Sequence, residues 1–157
     1  DPYKVVKALF RKKMGEEADQ PVFSATIRER GGWFPPDGTP PDMPIDLDVV
    51  SEEEAQEYAD ALTRTGFFGA NSWYMNHERN STYDAELSLA QRTLHMPVLF
   101  VHAENDYICC TIKGGLAEPM REACIQLIEK SIQSGHWMAQ EKPEQLNAFL
   151  LEWLENL

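Results

Sequence analysis

Asp106 and His136 are the residues whose types and spacing point to chemistry. An Asp behind a His fixes one imidazole tautomer and stabilises the imidazolium that forms when the ring takes a proton. Their separation, 136 − 106 = 30 residues, leaves room for a crossover helix and a second strand parallel to the first. The residues around each fit that arrangement. Pro97 opens Val98-Leu99-Phe100-Val101-His102, a largely apolar run that predicts a buried strand, and the polar turn Ala103-Glu104-Asn105-Asp106 follows at its carboxyl end. Residues 125–132 mix Ile, Leu, Gln, Glu and Lys as a shorter, more exposed strand ending in Ser134-Gly135-His136, where glycine permits a sharp turn. A helix over 116–124 is expected to join the two strands. Parallel neighbours would then present acid and base from one sheet edge, where open α/β sheets place their sites. Singly, an Asp after a strand is a common turn residue and Gly-His a common loop. Matched positions at two strand ends carry the functional reading.

Composition sets the bounds on that site. The chain has 157 residues, of which 43% are hydrophobic, enough for one respectable core and for one domain or parts of two. Its 14 basic and 26 acidic residues give a formal net charge of −12, which argues against nucleic acid and against anionic membrane surfaces as partners. No run approaches membrane-spanning length. Cys109, Cys110 and Cys124 are too clustered for a disulfide framework and lack the His spacing of a zinc site, so reduced thiols in the cytoplasm are expected. The chain opens Asp1-Pro2 rather than with Met, so its true start is expected to lie elsewhere.

The remaining elements must position the site. Val5, Val6, Leu9, Phe10 and Met14 recur at helical spacing over 2–14, with Pro2 in the first turn and no evident partner for the apolar face. Periodicity dissolves over 15–50, where the segment 31–41 is rich in Pro and Gly; Trp33 and Phe34 there either line a pocket or pin the loop. Ser51 and Glu54 form a capping box for a helix expected to bury Ala55, Tyr58, Ala61 and Leu62 and to end at Gly66. Residues 67–80 are dense in aromatics and amides, a composition suited to a pocket wall and equally to core packing. His77 there has no evident partner and reads as a surface residue. A further helix is expected over 82–94, and Pro143 starts a last helix whose apolar face is Leu146, Phe149, Leu150, Trp153 and Leu154.

Two motifs together resemble the epoxide hydrolases of the α/β-hydrolase superfamily. The first is Pro-Val-Leu-Phe-Val-x-Ala-Glu-x-Asp, followed by Gly-His-Trp and Lys-Pro-Glu-x-x-Asn-x-x-Leu-x-x-Trp-Leu. The second is Gly-Phe-x-Gly-x-x-x-Trp-Tyr-x-Asn-x-Glu-Arg-Asn from Gly66 to Asn80, similar to a stretch of that family's cap; Phe68 and Met75 stand where the family commonly has Arg. The resemblance implies the C-terminal part of an α/β-hydrolase fold with a helical cap segment, the cap over 1–94 and the core over 95–157. It implies Asp106 as triad acid, His136 as general base, and Tyr74 as the phenol that hydrogen-bonds the epoxide oxygen. Trp73, Trp137 and Phe67 are expected at the pocket.

The implied reaction converts a small apolar epoxide and water to a vicinal diol through a covalent Asp ester, with no metal or organic cofactor. The elbow that would bear the nucleophile is missing from 1–157, as are an oxyanion turn and most of a hydrolase sheet. The chain alone is therefore expected to be inactive, a fragment or a natural truncation whose open sheet edge pairs with the missing N-terminal half or with a second copy. A haloalkane dehalogenase shares the acid, base and nucleophile type, but a leaving halide has no use for the Tyr74 phenol. The residues are also compatible with a serine esterase, since the nucleophile is not among them, and with a non-catalytic chain that binds a partner.

Overall fold

The computed structural model describes residues 1–12, 23–87, 93–112 and 115–157. It divides into two compact units, Asp1–Asp84 and Ala85–Leu157. The division falls inside a helix.

The first unit is helical. Helix α1 (Pro2–Leu9) starts on Asp1, whose side chain accepts the Lys4 amide at 3.2 Å, with Pro2 in the first turn where a missing N–H costs nothing. The apolar face of α1 finds its partner in α2 (Glu52–Thr65): Val6 is buried with Val50 and Ala55, and Tyr3, Phe10, Ile45 and Leu62 pack around them. The helix expected to run on to Met14 stops at Leu9, where the Phe10 amide closes the last turn on the Val6 carbonyl; Met14 itself lies outside the described residues. At the start of α2 the Ser51 hydroxyl accepts the Glu54 amide at 3.2 Å and the Glu54 carboxylate accepts the Ser51 amide at 2.9 Å, the expected capping box. Gly66 ends α2 at φ 68°, a left-handed conformation that favours glycine, and its amide donates to Leu62 at 2.8 Å. The buried face of α2 is Ala55 and Ala59. Tyr58, expected in the core, stacks on Phe10 at 4.8 Å yet stays 42% exposed, because a phenol at the edge of so small a core keeps its oxygen in water.

A short 3-10 helix (Phe23–Thr26) precedes the Gly- and Pro-rich loop, and α3 (Phe68–Met75) and α4 (His77–Leu87) follow α2. The helix expected over 82–94 therefore begins earlier, at His77, and does not reach Leu94, which already belongs to a strand.

The second unit holds the strand–helix–strand motif. Strand β1 (Leu94–Ala103), helix α5 (Glu118–Ala123) and strand β2 (Cys124–Ile132) form a parallel pair whose register sets Val98 beside Leu127 and Ala103 beside Ile132. The pairing is irregular between Leu94 and Pro97, where proline has no amide to give to the ladder. Helix α6 (Met138–Glu141) and helix α7 (Pro143–Glu155) close the chain, and α7 packs on the sheet through Lys130, which lies 5.1 Å from the Phe149 ring and pairs with Glu152 at 3.1 Å. Coverage is incomplete: Met96 and Ile125 are 58% and 59% exposed, in a sheet type that normally has both faces covered. No helix among the described residues is long and apolar enough to cross a membrane.

Candidate active site

Level strand ends put the acid beside the base. Because Ala103 and Ile132 are register partners, both strands stop together, and two further backbone bonds carry the pairing beyond them. The Glu104 amide donates to the Ile132 carbonyl at 2.9 Å and the Asn105 amide to the Ser134 carbonyl at 3.0 Å. These bonds hold the Asp106 turn against the His136 turn. Gly135 is buried, and its amide donates to the Glu141 carboxylate of α6 at 2.8 Å, which fixes the approach to His136 from the other side.

His136 Nδ1 lies 3.1 Å from Oδ2 and 3.3 Å from Oδ1 of Asp106. Oδ1 also accepts the amides of Ile108 and Cys109, at 2.8 and 2.9 Å. A carboxylate that holds two amides of its own loop cannot swing freely, so its second oxygen stays aimed at the ring. The Asp106 side chain is 11% exposed and that of His136 31%, so the acid is sheltered while the base reaches solvent. Burial pushes the Asp106 carboxyl up, but the bonds from His136, Cys109 and Ile108 outweigh it and hold the group below its ordinary value. A carboxylate accepts only, so Nδ1 carries the proton toward Asp106, which leaves Nε2 as the basic nitrogen. The Trp137 ring meets His136 edge-on, with centroids 5.3 Å apart at 77°.

Tyr74 lies in the first unit, on one face of α3. Phe67, Asn71 and Tyr74 are spaced four and three residues apart, so they share a helix face and line a cavity of ≈ 530 Å³ together with Ile27, Trp33 and Phe34. Trp33 does both things that its sequence allowed: its indole nitrogen donates to Asn71 Oδ1 at 3.1 Å, and its ring meets Tyr74 edge-on at 4.8 Å while walling the cavity. Trp73 falls off that face. It is 69% exposed and does not line the cavity, so of the three expected pocket residues Phe67 stands with Tyr74, Trp137 with His136, and Trp73 with neither. His77 is exposed.

None of the three cysteines is in a disulfide, and burial together with the Asp106 charge pushes the Cys109 thiol up. Sequence reasoning misses one buried titratable side chain, His102 on β1, which is 5% exposed and bonded on both ring nitrogens. A histidine inside an apolar strand is the signal that could have found it.

A parallel strand–crossover–strand unit with an Asp after the first strand and a His after the second has the closing arrangement of an α/β-hydrolase, in which acid precedes base along the chain. Within that class the similarity is to epoxide hydrolases. The chain is 35% identical over 130 residues to bifunctional epoxide hydrolase 2 of Sus scrofa, covering 82% of this chain and 22% of that protein. It is 34% identical over 113 residues to epoxide hydrolase A of Mycobacterium tuberculosis, covering 69% of this chain and 33% of that one. The crystal structure of epoxide hydrolase A from Mycobacterium thermoresistibile matches 99% of this chain and 46% of its own, at 27% identity and a TM-score of 0.65. No protein-family model matches the chain. The chain is thus a homologue of the C-terminal part of epoxide hydrolases, with the α/β-hydrolase fold, and spans between 22% and 33% of these two curated relatives.

Proposed function

We propose that this chain supplies the acid, the base and the epoxide-activating phenol of an epoxide hydrolase. The observation that carries the reading is the Asp106–His136 contact at level ends of two parallel strands. In the reaction, a carboxylate nucleophile from outside residues 1–157 attacks one epoxide carbon, and the C–O bond breaks. The Tyr74 hydroxyl hydrogen-bonds the departing oxygen as its charge develops and donates the proton that makes it a hydroxyl. His136 Nε2 then removes a proton from water, and the resulting hydroxide attacks the ester carbonyl. Asp106 stabilises the imidazolium through Nδ1. Expulsion of the second diol oxygen, which takes the proton back from the ring, leaves a carboxylic acid whose proton passes to the Tyr74 phenolate, so that carboxylate and phenol are both regenerated.

The aromatic walls around Tyr74 favour a small apolar epoxide, for which Phe67 and Trp33 give contact area and the phenol gives orientation. Three cysteines outside any disulfide suit a reducing, cytoplasmic setting. The bare sheet residues Met96 and Ile125 favour pairing with further strands of an N-terminal half. The direct test is styrene oxide hydrolysis by the native protein from its source, with the intact mass read on the same sample. Diol formation that disappears with Asp106→Asn and with His136→Gln supports the reading. Diol formation unchanged in both variants removes it.

A further inference from the structure

His102 sits on β1 four residues before Asp106, and its ring is bonded on both nitrogens. Nδ1 lies 2.8 Å from the Thr111 hydroxyl and Nε2 2.8 Å from Glu129 Oε1. Glu129 is on β2, two residues before Ser131, the register partner of His102, so the contact runs diagonally across one face of the pair. Arg121 of α5 grips the same carboxylate, with Nε 3.0 and 3.2 Å and Nη2 2.7 Å from its oxygens, and Glu118 holds Arg121 from behind. The Phe100 ring meets the imidazole edge-on at 4.8 Å.

These partners orient the ring. The Arg121 bonds, and then that from His102, hold the Glu129 carboxyl below its ordinary value, so it is ionised and only accepts. Nε2 therefore carries a proton toward Glu129, and Nδ1 is hydrogen-bonded to the Thr111 hydroxyl, which can both donate and accept. The loop from Asp106 to Thr111 is consequently fixed at both ends. At its start the Asp106 carboxylate holds the Ile108 and Cys109 amides, and at its far end Thr111 is tied back through His102 to β2.

We propose that His102 is a positioning residue for the acid–base pair, pinning the far end of the Asp106 loop through Thr111 so that the carboxylate stays aimed at His136. This rests on reading Asp106 and His136 as acid and base. The loop carries an exposed Cys109 and a half-buried Ile108. Freed at Thr111, it can open at the Ile108 and Cys109 amides, and Asp106 Oδ2 then leaves the ring.

The test uses the full native protein labelled with ¹⁵N. Amide hydrogen exchange is read at Ile108 and Cys109 against the strand amides of β1, and the downfield Nδ1–H signal of His136 reports its bond to Asp106. His102→Ala and Thr111→Val should each speed exchange at Ile108 and Cys109 about tenfold relative to the strand, the worth of one ordinary hydrogen bond, and weaken the His136 signal. The double variant should exceed neither single one by more than a few fold, because both remove the same link. His102→Gln keeps a donor and an acceptor on one planar group and should restore both readings. If Thr111→Val leaves the two amides and the His136 signal as in the wild type, the proposal is overturned. It is equally overturned if loop and strand amides accelerate together in His102→Ala, which marks a core residue rather than a pin. If His102→Ala does not fold, Thr111→Val decides alone. None of these readings needs turnover, so failure of the hydrolase reading shows in the styrene oxide assay and leaves them intact.

Discussion

Replacing Asp106 by Asn separates the chemistry of the site from its folding. Oδ1 accepts the Ile108 and Cys109 amides at 2.8 and 2.9 Å, while Oδ2 makes the shorter contact to His136 at 3.1 Å. An asparagine carbonyl at the Oδ1 position keeps both amide bonds. Its NH2 group then faces Nδ1 and can only donate, which drives the ring to the tautomer protonated on Nε2. That ring cannot take a proton from water. Folding loses no more than one hydrogen bond to a charged group, about 1.5–3 kcal/mol. Wrong-tautomer chemistry costs on the order of 10⁴ in rate, or about 5 kcal/mol of barrier. The kinetic loss should therefore exceed the stability loss by at least about 2 kcal/mol. Urea unfolding measures the first quantity, and single-turnover quench of ester breakdown in the native protein with styrene oxide measures the second. A folded Asp106→Asn variant whose ester breaks down within about tenfold of the wild-type rate would refute the tautomer argument. The same variant carries a pH signature. A carboxyl lowered on folding contributes stability that is complete above its unfolded value, about 3.9, and is lost as pH falls through that value toward the folded one. The stability gap between wild type and Asp106→Asn should be full at neutral pH and close below about pH 4; a gap that persists unchanged in acid contradicts the lowered carboxyl.

Two other substitutions test parts outside the pair. Tyr74→Phe should slow ester formation about 10²–10³-fold, the loss of one oxyanion-type donor, while ester breakdown is spared; an unchanged single-turnover rate of ester formation removes Tyr74 from the mechanism. Ser51→Ala breaks the capping box of α2 and should lower stability by about 1 kcal/mol in urea unfolding, with no effect on ester chemistry; no measurable loss would mean that the helix start is held by its packing alone.

How much is legible in the sequence depends on how local the signal is. The β1–α5–β2 unit can be read because Pro97, the apolar run to His102 and the polar turns at Asp106 and His136 each act within a few residues. The capping box at Ser51 and Glu54 and the stop at Gly66 are legible for the same reason. Leu94 misleads because Leu94, His95 and Met96 fit a helix end as well as a strand start, and pairing with Cys124, far along the chain, decides between them. The partner of α1 is hidden likewise, since Val50 and Ala55 meet Val6 only after folding. Adjacency in sequence groups Trp73 with Tyr74, although helical spacing sends neighbours to different faces. His102 escapes notice because its partners Thr111 and Glu129 come from a loop and a second strand, and only the register brings them to one ring.

The central claim, that His136 backed by Asp106 hydrolyses a covalent ester, is tested most directly by intact-mass measurement on the His136→Gln form of the native protein after exposure to styrene oxide. A persistent adduct of one substrate mass, with diol formation abolished, is the predicted result. Undiminished diol formation with no adduct would contradict the account.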